Sequence, residues 1–209
     1  MTDSRPYFDQ VSSRWDEMRA SFFSEGLREK ALEAARPGAG TLAADLGAGT
    51  GFMTEGLLRR GVKVIAVDQS QAMLDVLARK LSGFDGLECR LGGAERLPIE
   101  DGLVDSVFAN MYVHHVEDPA GAIEEMARIL RPGGVLVITD LDEHEFEFLR
   151  VEHHDRWLGF RRESIRAWLA AAGLKEISVG CAGEDCRSDS TDGSRSARIS
   201  IFLASGRRG

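Results

Sequence analysis

Three glycines at fixed spacing close an apolar run in Asp45-Leu46-Gly47-Ala48-Gly49-Thr50-Gly51. Such a turn between a strand and a helix lets a ligand approach the backbone, because a side chain at Gly47 or Gly49 would hold it off. The helix that follows offers free amides to a polar or anionic group. Asp68 ends the next β-rich run, where a carboxylate can accept hydrogen bonds from both hydroxyls of a ribose. A glycine turn alone also occurs with no ligand. The turn and the strand-end acid, in this order and spacing, point to a nucleoside-bearing cofactor.

A second group follows the fourth apolar run, in Asn110-Met111-Tyr112-Val113-His114-His115. Asn110 can bond a cofactor, and His115 or Tyr112 can reach a second substrate. A neutral imidazole near pH 7 suits a general base. The plainer alternative has His114 packed on the sheet and His115 only shaping a pocket. Residues 140–158 carry three of the five histidines, His144, His153 and His154, beside Asp140 and Asp142. They can bind a metal, or form a solvated acidic helix. Cys181 and Cys186 can capture a soft metal or metalloid, or can lie in an ordinary flexible loop. Cys89 is expected to be buried in the third strand.

These groups need a scaffold. Strand-like runs at 41–46, 62–67, 87–91, 104–109 and 135–139 alternate with helix-like runs at 52–60, 71–81 and 119–130. A helical stretch near 143–158, a helix at 163–172 and short strands at 177–179 and 197–204 follow. Residues 182–196, rich in Gly, Ser and Asp, read as a long mobile loop. Alternation of this kind implies a mostly parallel sheet covered on both faces. At the N-terminus, Phe8, Val11 and Trp15 are spaced for one helix face.

The 209 residues allow one sizeable domain, and the net charge is −8. An acidic chain without a long basic run is poorly suited to gripping phosphate backbones, so no nucleic-acid partner is expected. No apolar run reaches the ~18–20 residues of a membrane helix, and the first residues lack an apolar signal core. A cytoplasmic protein with no membrane partner is the expectation. Three cysteines argue against a disulfide scaffold.

Four segments resemble the class I S-adenosylmethionine-dependent methyltransferases, in particular the type-11, UbiE-like group: ADLGAGTGF at 44–52, VDQSQAML at 67–74, GGAERLPIEDGLVDSV at 92–107 and ILRPGGVLVITD at 129–140. The resemblance covers residues from about 7 to 206. It implies a Rossmann-like α/β fold, with a doubly wound, seven-stranded, mostly parallel sheet, an antiparallel final strand and helices on both faces. The expected division is lid helices at 1–35, a cofactor-binding core at 41–140, a substrate-covering insertion at 141–162 and a C-terminal helix and strand hairpin at 163–206. The implied cofactor is S-adenosyl-L-methionine, with S-adenosyl-L-homocysteine as product. The implied cofactor set is Tyr7, Trp15, Asp45, Gly47, Ala48, Gly49, Asp68, Gln69, Met73, Ala94, Glu95, Asn110 and His115.

Within that set Asp45 and the turn face the cofactor's amino-acid portion, Asp68 the ribose and Met73 the adenine. The segment Tyr7 to Asp16 is the lid. The chain has Gly93 where the family often has an Asp that bonds the adenine amino group; the Ala94 backbone and Glu95 are the replacements on offer. In the family's strand order the sixth strand is parallel to the others, so the loop carrying Cys181 and Cys186 opens on the catalytic face. Together with the Arg156-Trp157-Leu158-Gly159-Phe160 run, that segment resembles methyltransferase domains fused to metal-responsive regulators, which brings in arsenite as an acceptor. Arsenite methyltransferases share a Cys near the first motif, where this chain has Phe52 and Met53.

The expected reaction is methyl transfer to a small molecule by a monomer or homodimer, with no dedicated catalytic residue required. A non-catalytic cofactor-binding regulator and a nicotinamide oxidoreductase are the alternatives. The acid at Asp45 and the Leu-Arg-Pro-Gly-Gly turn favour methyl transfer over hydride transfer.

Overall fold

In a computed structural model the described residues are 5–209. Near-continuous apolar runs become strands buried on both faces. β1 (Leu42–Leu46), β2 (Lys63–Asp68), β3 (Leu87–Leu91), β4 (Val104–Asn110) and β5 (Leu130–Leu141) pair in parallel. β6 (Leu174–Asp189) and β7 (Ser196–Arg208) complete a seven-stranded sheet of order β3-β2-β1-β4-β5-β7-β6. β7 is antiparallel to both β5 and β6, so the other six strands share one direction. The expected Rossmann-like sheet with its reversed last strand is the one observed.

Each crossover helix covers one face. α3 (Glu25–Ala35), α4 (Phe52–Leu58) and α5 (Gln71–Lys80) contribute Leu27, Leu32, Leu57 and Leu77 to one apolar cluster. α6 (Pro119–Ile129) and α8 (Arg162–Ala171) contribute Ile123, Met126, Ile165 and Leu169 to the cluster on the opposite face. The helix starts follow from capping chemistry. Ser70 Oγ accepts the Met73 N–H at 3.1 Å, and Asp118 accepts the Gly121 N–H at 3.1 Å ahead of Pro119. Ahead of β1 run α1 (Arg5–Val11) and α2 (Trp15–Phe22), joined by a 3-10 turn at Ser12–Arg14.

Chain order reverses between β1 and β4, which pair directly with Asp45 opposite Phe108. That switch point opens a crevice at the carboxyl ends of the strands. The glycine turn and the Asn110–His115 segment both leave the sheet there.

Two readings of the sequence need correction. Residues 182–196 are not a long loop: β6 and β7 form an extended hairpin, and Ser190 N–H closes it on the Arg195 carbonyl at 2.8 Å. β6 is an edge strand whose last residues alternate buried Cys186 and Ser188 with exposed Arg187 and Asp189. Its alternation uses polar residues, so a hydrophobic pattern does not reveal it. The helical stretch near 143–158 shrinks to α7 (Phe148–Glu152), a single short turn of helix between irregular segments. Gly159, at φ +70°, lies against the Asp142 backbone, where a Cβ would collide.

Candidate functional site

The glycine turn is held open by its neighbours. Gly47, Gly49 and Gly51 have φ of +64°, +51° and +93°, conformations that L side chains avoid. A Cβ at Gly47 would stand 2.7 Å from Tyr112 Cγ, so glycine lets the Tyr112 ring lie against the turn. A Cβ at Gly49 would stand 3.4 Å from Trp15 Nε1. Asp68 Oδ2 accepts the Gly49 N–H at 2.8 Å, and its Oδ1 accepts the Ser70 N–H at 2.9 Å. Burial raises the Asp68 pKa, and these N–H donors oppose the rise. Asp45 is buried at the end of β1 and accepts the Thr54 hydroxyl at 2.6 Å. Burial pushes its carboxyl up to about 7, with Asp68 adding to the rise and Thr54 opposing it.

The N-terminal helices close over this turn through three polar ties. Thr50 Oγ1 donates to Asp16 at 2.6 Å, Lys80 Nζ to the same carboxylate at 2.9 Å, and Ser70 Oγ to Asp9 at 2.5 Å. Aromatic rings continue the cover. Phe8 packs edge-on against Trp15 at 5.4 Å and against His115 at 5.1 Å, and Tyr7 lies 4.8 Å from the His154 ring. The enclosed space, with its open mouth, measures about 1110 Å³.

The far wall is titratable. His114 is buried in a 3-10 turn after β4, with Nδ1 2.6 Å from Asp140 Oδ1 and Nε2 3.7 Å from Asp155 Oδ1. Asp140 Oδ2 also accepts the N–H groups of Val113 and His114, at 2.8 and 3.2 Å. Burial pushes the His114 imidazole down, but Asp140 and Asp155 prevail and set its pKa to about 9. His115 Nδ1 faces the His154 carbonyl at 3.3 Å. Burial and the charge on His114 drive the His115 pKa well below its ordinary value. Asp155 is raised to about 6 by burial, with His114 opposing. Ser188 Oγ lies 3.0 Å from His153 Nε2, and Cys186 opens on the same wall. Met111, at φ +52°, is the strained hinge that turns β4 into this segment.

Most residues singled out in the sequence meet in this cavity. Tyr7, Trp15, Asp45, Gly47, Ala48, Gly49, Asp68, Gln69, Met73, Asn110, Tyr112 and His115 all line it. Ala94 and Glu95 are not on its wall: Ala94 is buried in the core and Glu95 is exposed. The Glu95 carboxylate nevertheless folds back over Gly93, 2.6 Å from where a Cβ would stand. Cys181 and Cys186 have different surroundings. Cys181 is exposed beside Ser200 at 3.6 Å, while Cys186 is buried on the cavity side. Cys89 is half-buried rather than buried. Of the two readings open for residues 140–158, the histidines and acids do not assemble as one metal set. Asp142 pairs with Arg162, and His144 Nδ1 accepts the Phe146 N–H at 3.2 Å.

Sequence reasoning missed Arg19, whose guanidinium lies 4.1 Å above the Phe52 ring at the cavity, and Asp155. Arg19 sits one turn after Trp15 on the lid, the position from which a helix residue reaches the same face.

Comparison with known proteins places this geometry. The family described as a methyltransferase domain matches residues 44–138. A demethylmenaquinone methyltransferase of Thermobifida fusca is 34% identical over 173 residues, 80% of this chain and 71% of the relative. The chain belongs to the S-adenosylmethionine-dependent methyltransferase family. An uncharacterised methyltransferase of Mycobacterium tuberculosis is 47% identical over 107 residues, 51% of this chain. That match spans 42% of the mycobacterial relative, less than half its length. A Haloferax volcanii chain, from a complex of the Trm112 methyltransferase activator with a methyltransferase, shares the fold. Its TM-score is 0.77 at 22% identity, over 96% of each chain. The methyltransferase fold therefore accounts for the whole described sheet, and the family match falls on the half that carries the glycine turn, Asp68 and the His114 segment.

Proposed function

We propose that this chain transfers a methyl group from S-adenosyl-L-methionine to a small molecule and releases S-adenosyl-L-homocysteine. The observation that carries this reading is one cavity with two unlike ends: the glycine turn with Asp45 and Asp68, and the histidine wall with His114 and His115. The residues present fit the cofactor. The carboxylate of Asp68 suits ribose hydroxyls, and buried Asp45 suits the ammonium of the amino-acid portion, with Gly47, Ala48 and Gly49 leaving room for it. Met73 and Gln69 border the adenine end, where Ala94 and Glu95, lying off the cavity wall, supply no replacement for the family's Asp. Tyr7 and Trp15 close over the top, and aromatic faces suit a cation. Asn110 lines the same cavity, and His115 belongs to its histidine wall.

The bound cofactor supplies the methyl as an activated electrophile, so the chain's own work is alignment and proton handling. His115 donates Nδ1–H to the His154 carbonyl, which leaves Nε2 as the lone-pair atom facing outward from that contact. Its pKa lies well below the usual imidazole value, so it is neutral at pH 7 and a weak base. Tyr112 is held protonated, because burial and the carboxylates of Asp68 and Glu95 raise its pKa. The wall therefore favours an acceptor that loses its proton readily, such as a phenol, quinol or thiol.

Among the described residues no helix is long and apolar enough to cross a membrane. We infer a small-molecule acceptor, no nucleic-acid partner, and a monomer or homodimer. Calorimetric titration with S-adenosylmethionine and S-adenosylhomocysteine, on the wild type and Asp68→Ala, tests the reading. Tight binding that the variant weakens supports it, and no heat from either ligand overturns it. Turnover is then sought with quinols first, since a relative's name concerns demethylmenaquinone, and with phenols and arsenite next.

A further inference from the structure

The geometry points to a divalent transition-metal site on the acceptor wall of the cavity, formed by His114, His115 and Asp155. One donor atom from each of these residues lies within 4.8 Å of the other two, and all three line the cavity. Two imidazoles and one carboxylate are borderline ligands that suit Zn²⁺, Co²⁺ or Fe²⁺ rather than Mg²⁺ or Ca²⁺.

The surroundings have the form of a prepared site. A ligating histidine needs its second nitrogen fixed, and Asp140 fixes His114 Nδ1 at 2.6 Å, leaving Nε2 toward Asp155 at 3.7 Å. Asp140 is itself fully buried and anchored by the N–H groups of Val113 and His114. His115 is fixed in the same manner through Nδ1 on the His154 carbonyl, at 3.3 Å. Two ring nitrogens are thus presented by side chains that cannot rotate freely, and on His114 the ion takes the place of the Nε2 proton that faces Asp155, so uptake releases a proton. Asp140 and Asp155 together place two carboxylates around one imidazole in a buried pocket, an excess of negative charge that a divalent ion neutralises. Three protein donors leave at least one coordination position open to the cavity, the arrangement of sites that bind a further ligand rather than of closed structural sites.

This deepens the methyl-transfer reading, since an open position on that wall would hold the acceptor's oxygen or sulfur. Metal uptake does not depend on that reading and is measured without cofactor. The full chain, stripped with a chelator, is titrated with Zn²⁺ by calorimetry and with Co²⁺ by visible absorption. The expected result is one ion per chain, and Co²⁺ bands of a low-coordinate site. Asp155→Asn and His115→Gln each weaken binding by ~100-fold, and Asp140→Asn by ~10–100-fold through the His114 anchor. Circular dichroism on each variant shows that the fold persists, and S-adenosylmethionine titration of Asp155→Asn shows that the cofactor end persists. Absence of saturable uptake by the wild type overturns the proposal. So does uptake that Asp155→Asn and His115→Gln leave unchanged in folded protein. Failure of cofactor binding with metal uptake intact would remove the methyl-transfer reading and leave the metal site standing.

Discussion

The carboxylate of Asp68 accepts the backbone N–H of Gly49 at 2.8 Å, so the tip of β2 holds the glycine turn that leaves β1. The same side chain receives the Ser70 N–H at 2.9 Å, which ties the start of α5 to the same point. The ribose contact proposed for Asp68 and the shape of the turn thus rest on one group. Asp68→Ala removes two charge-assisted hydrogen bonds, each worth ~1.5–3 kcal/mol. The expected outcome is a loss of cofactor affinity of at least ~100-fold, together with a lower melting temperature for the ligand-free protein. A variant that lost affinity with unchanged melting would show that Asp68 does not support the turn.

Asp45 gives the pH dependence. Its folded pKa of about 7 lies above the ordinary carboxylate value of 3.8. The folded state therefore binds the proton more tightly than the unfolded state. The stability this contributes is complete below pH ~4 and is lost as the pH rises to about 7. At about 1.4 kcal/mol per unit, the loss is on the order of 4 kcal/mol. Asp45→Asn keeps an acceptor for the Thr54 hydroxyl and carries no charge. It should flatten the melting temperature between pH 4 and 7 and melt higher than wild type at pH 8, while binding S-adenosylmethionine more weakly. Denaturant unfolding across that range checks both signs. A wild-type profile as flat as the variant's would rule out the burial argument.

Gly47 and Tyr112 should behave as a coupled pair. Gly47→Ala places a Cβ 2.7 Å from Tyr112 Cγ on a backbone with φ +64°. The backbone strain alone costs ~1–2 kcal/mol, and the collision adds ~1–3 kcal/mol. Adding Tyr112→Ala removes the collision and leaves the strain. A double-mutant cycle in urea should return a coupling of ~1–3 kcal/mol, and additivity would mean the ring moves aside freely.

The alternation of strands and helices and the glycine turn were legible because apolar periodicity and glycine chemistry are local, whereas the seven-stranded sheet with its reversed last strand was what the family resemblance implied. The Asp45-to-Gly51 turn announces itself by residue type alone. The histidine wall is less legible, since His114, Asp140 and Asp155 come from three segments: the β4–β5 pairing brings His114 to Asp140, and the N–H groups of Arg156 and Trp157 on the His114 carbonyl bring in Asp155. The β6–β7 hairpin was hidden for another reason. Its outer half alternates correctly, but with Ser, Asp and Arg instead of apolar residues, because one face of an edge strand is wet. Glu95 illustrates a third limit: its reach back over Gly93 depends on a turn that spacing does not define.

The lid supplies the next test. Asp16 receives both Thr50 and Lys80, at 2.6 and 2.9 Å, and these contacts join α2 to the glycine turn and to α5. Thr50, Lys80 and Arg19 hold the Asp16 carboxyl below its ordinary value against the opposing effect of burial. Asp16→Ala should release the lid without touching the sheet. Trypsin should then cut after Arg14 or Arg19 faster than in wild type, and cofactor affinity should fall by ~10-fold. Equal cutting rates would mean that the aromatic contacts of Phe8 and Trp15 hold the lid unaided.

Finally, the two hairpin thiols should react on different timescales. Cys181 is exposed, and the Gly183 N–H, the Ser200 hydroxyl and Arg162 lower its pKa. Cys186 is buried, and burial with the nearby Asp155 and Asp140 pushes its thiol up to about 12. Thiolate is the reactive form, so at pH 8 iodoacetamide should label Cys181 at least ~100-fold faster than Cys186. Mass spectrometry of timed samples reads this directly, with one early adduct on the peptide that contains Cys181. Equal rates would bring both thiols to the surface together, and would revive their joint capture of a soft metalloid, which the present separation of an exposed and a buried sulfur argues against.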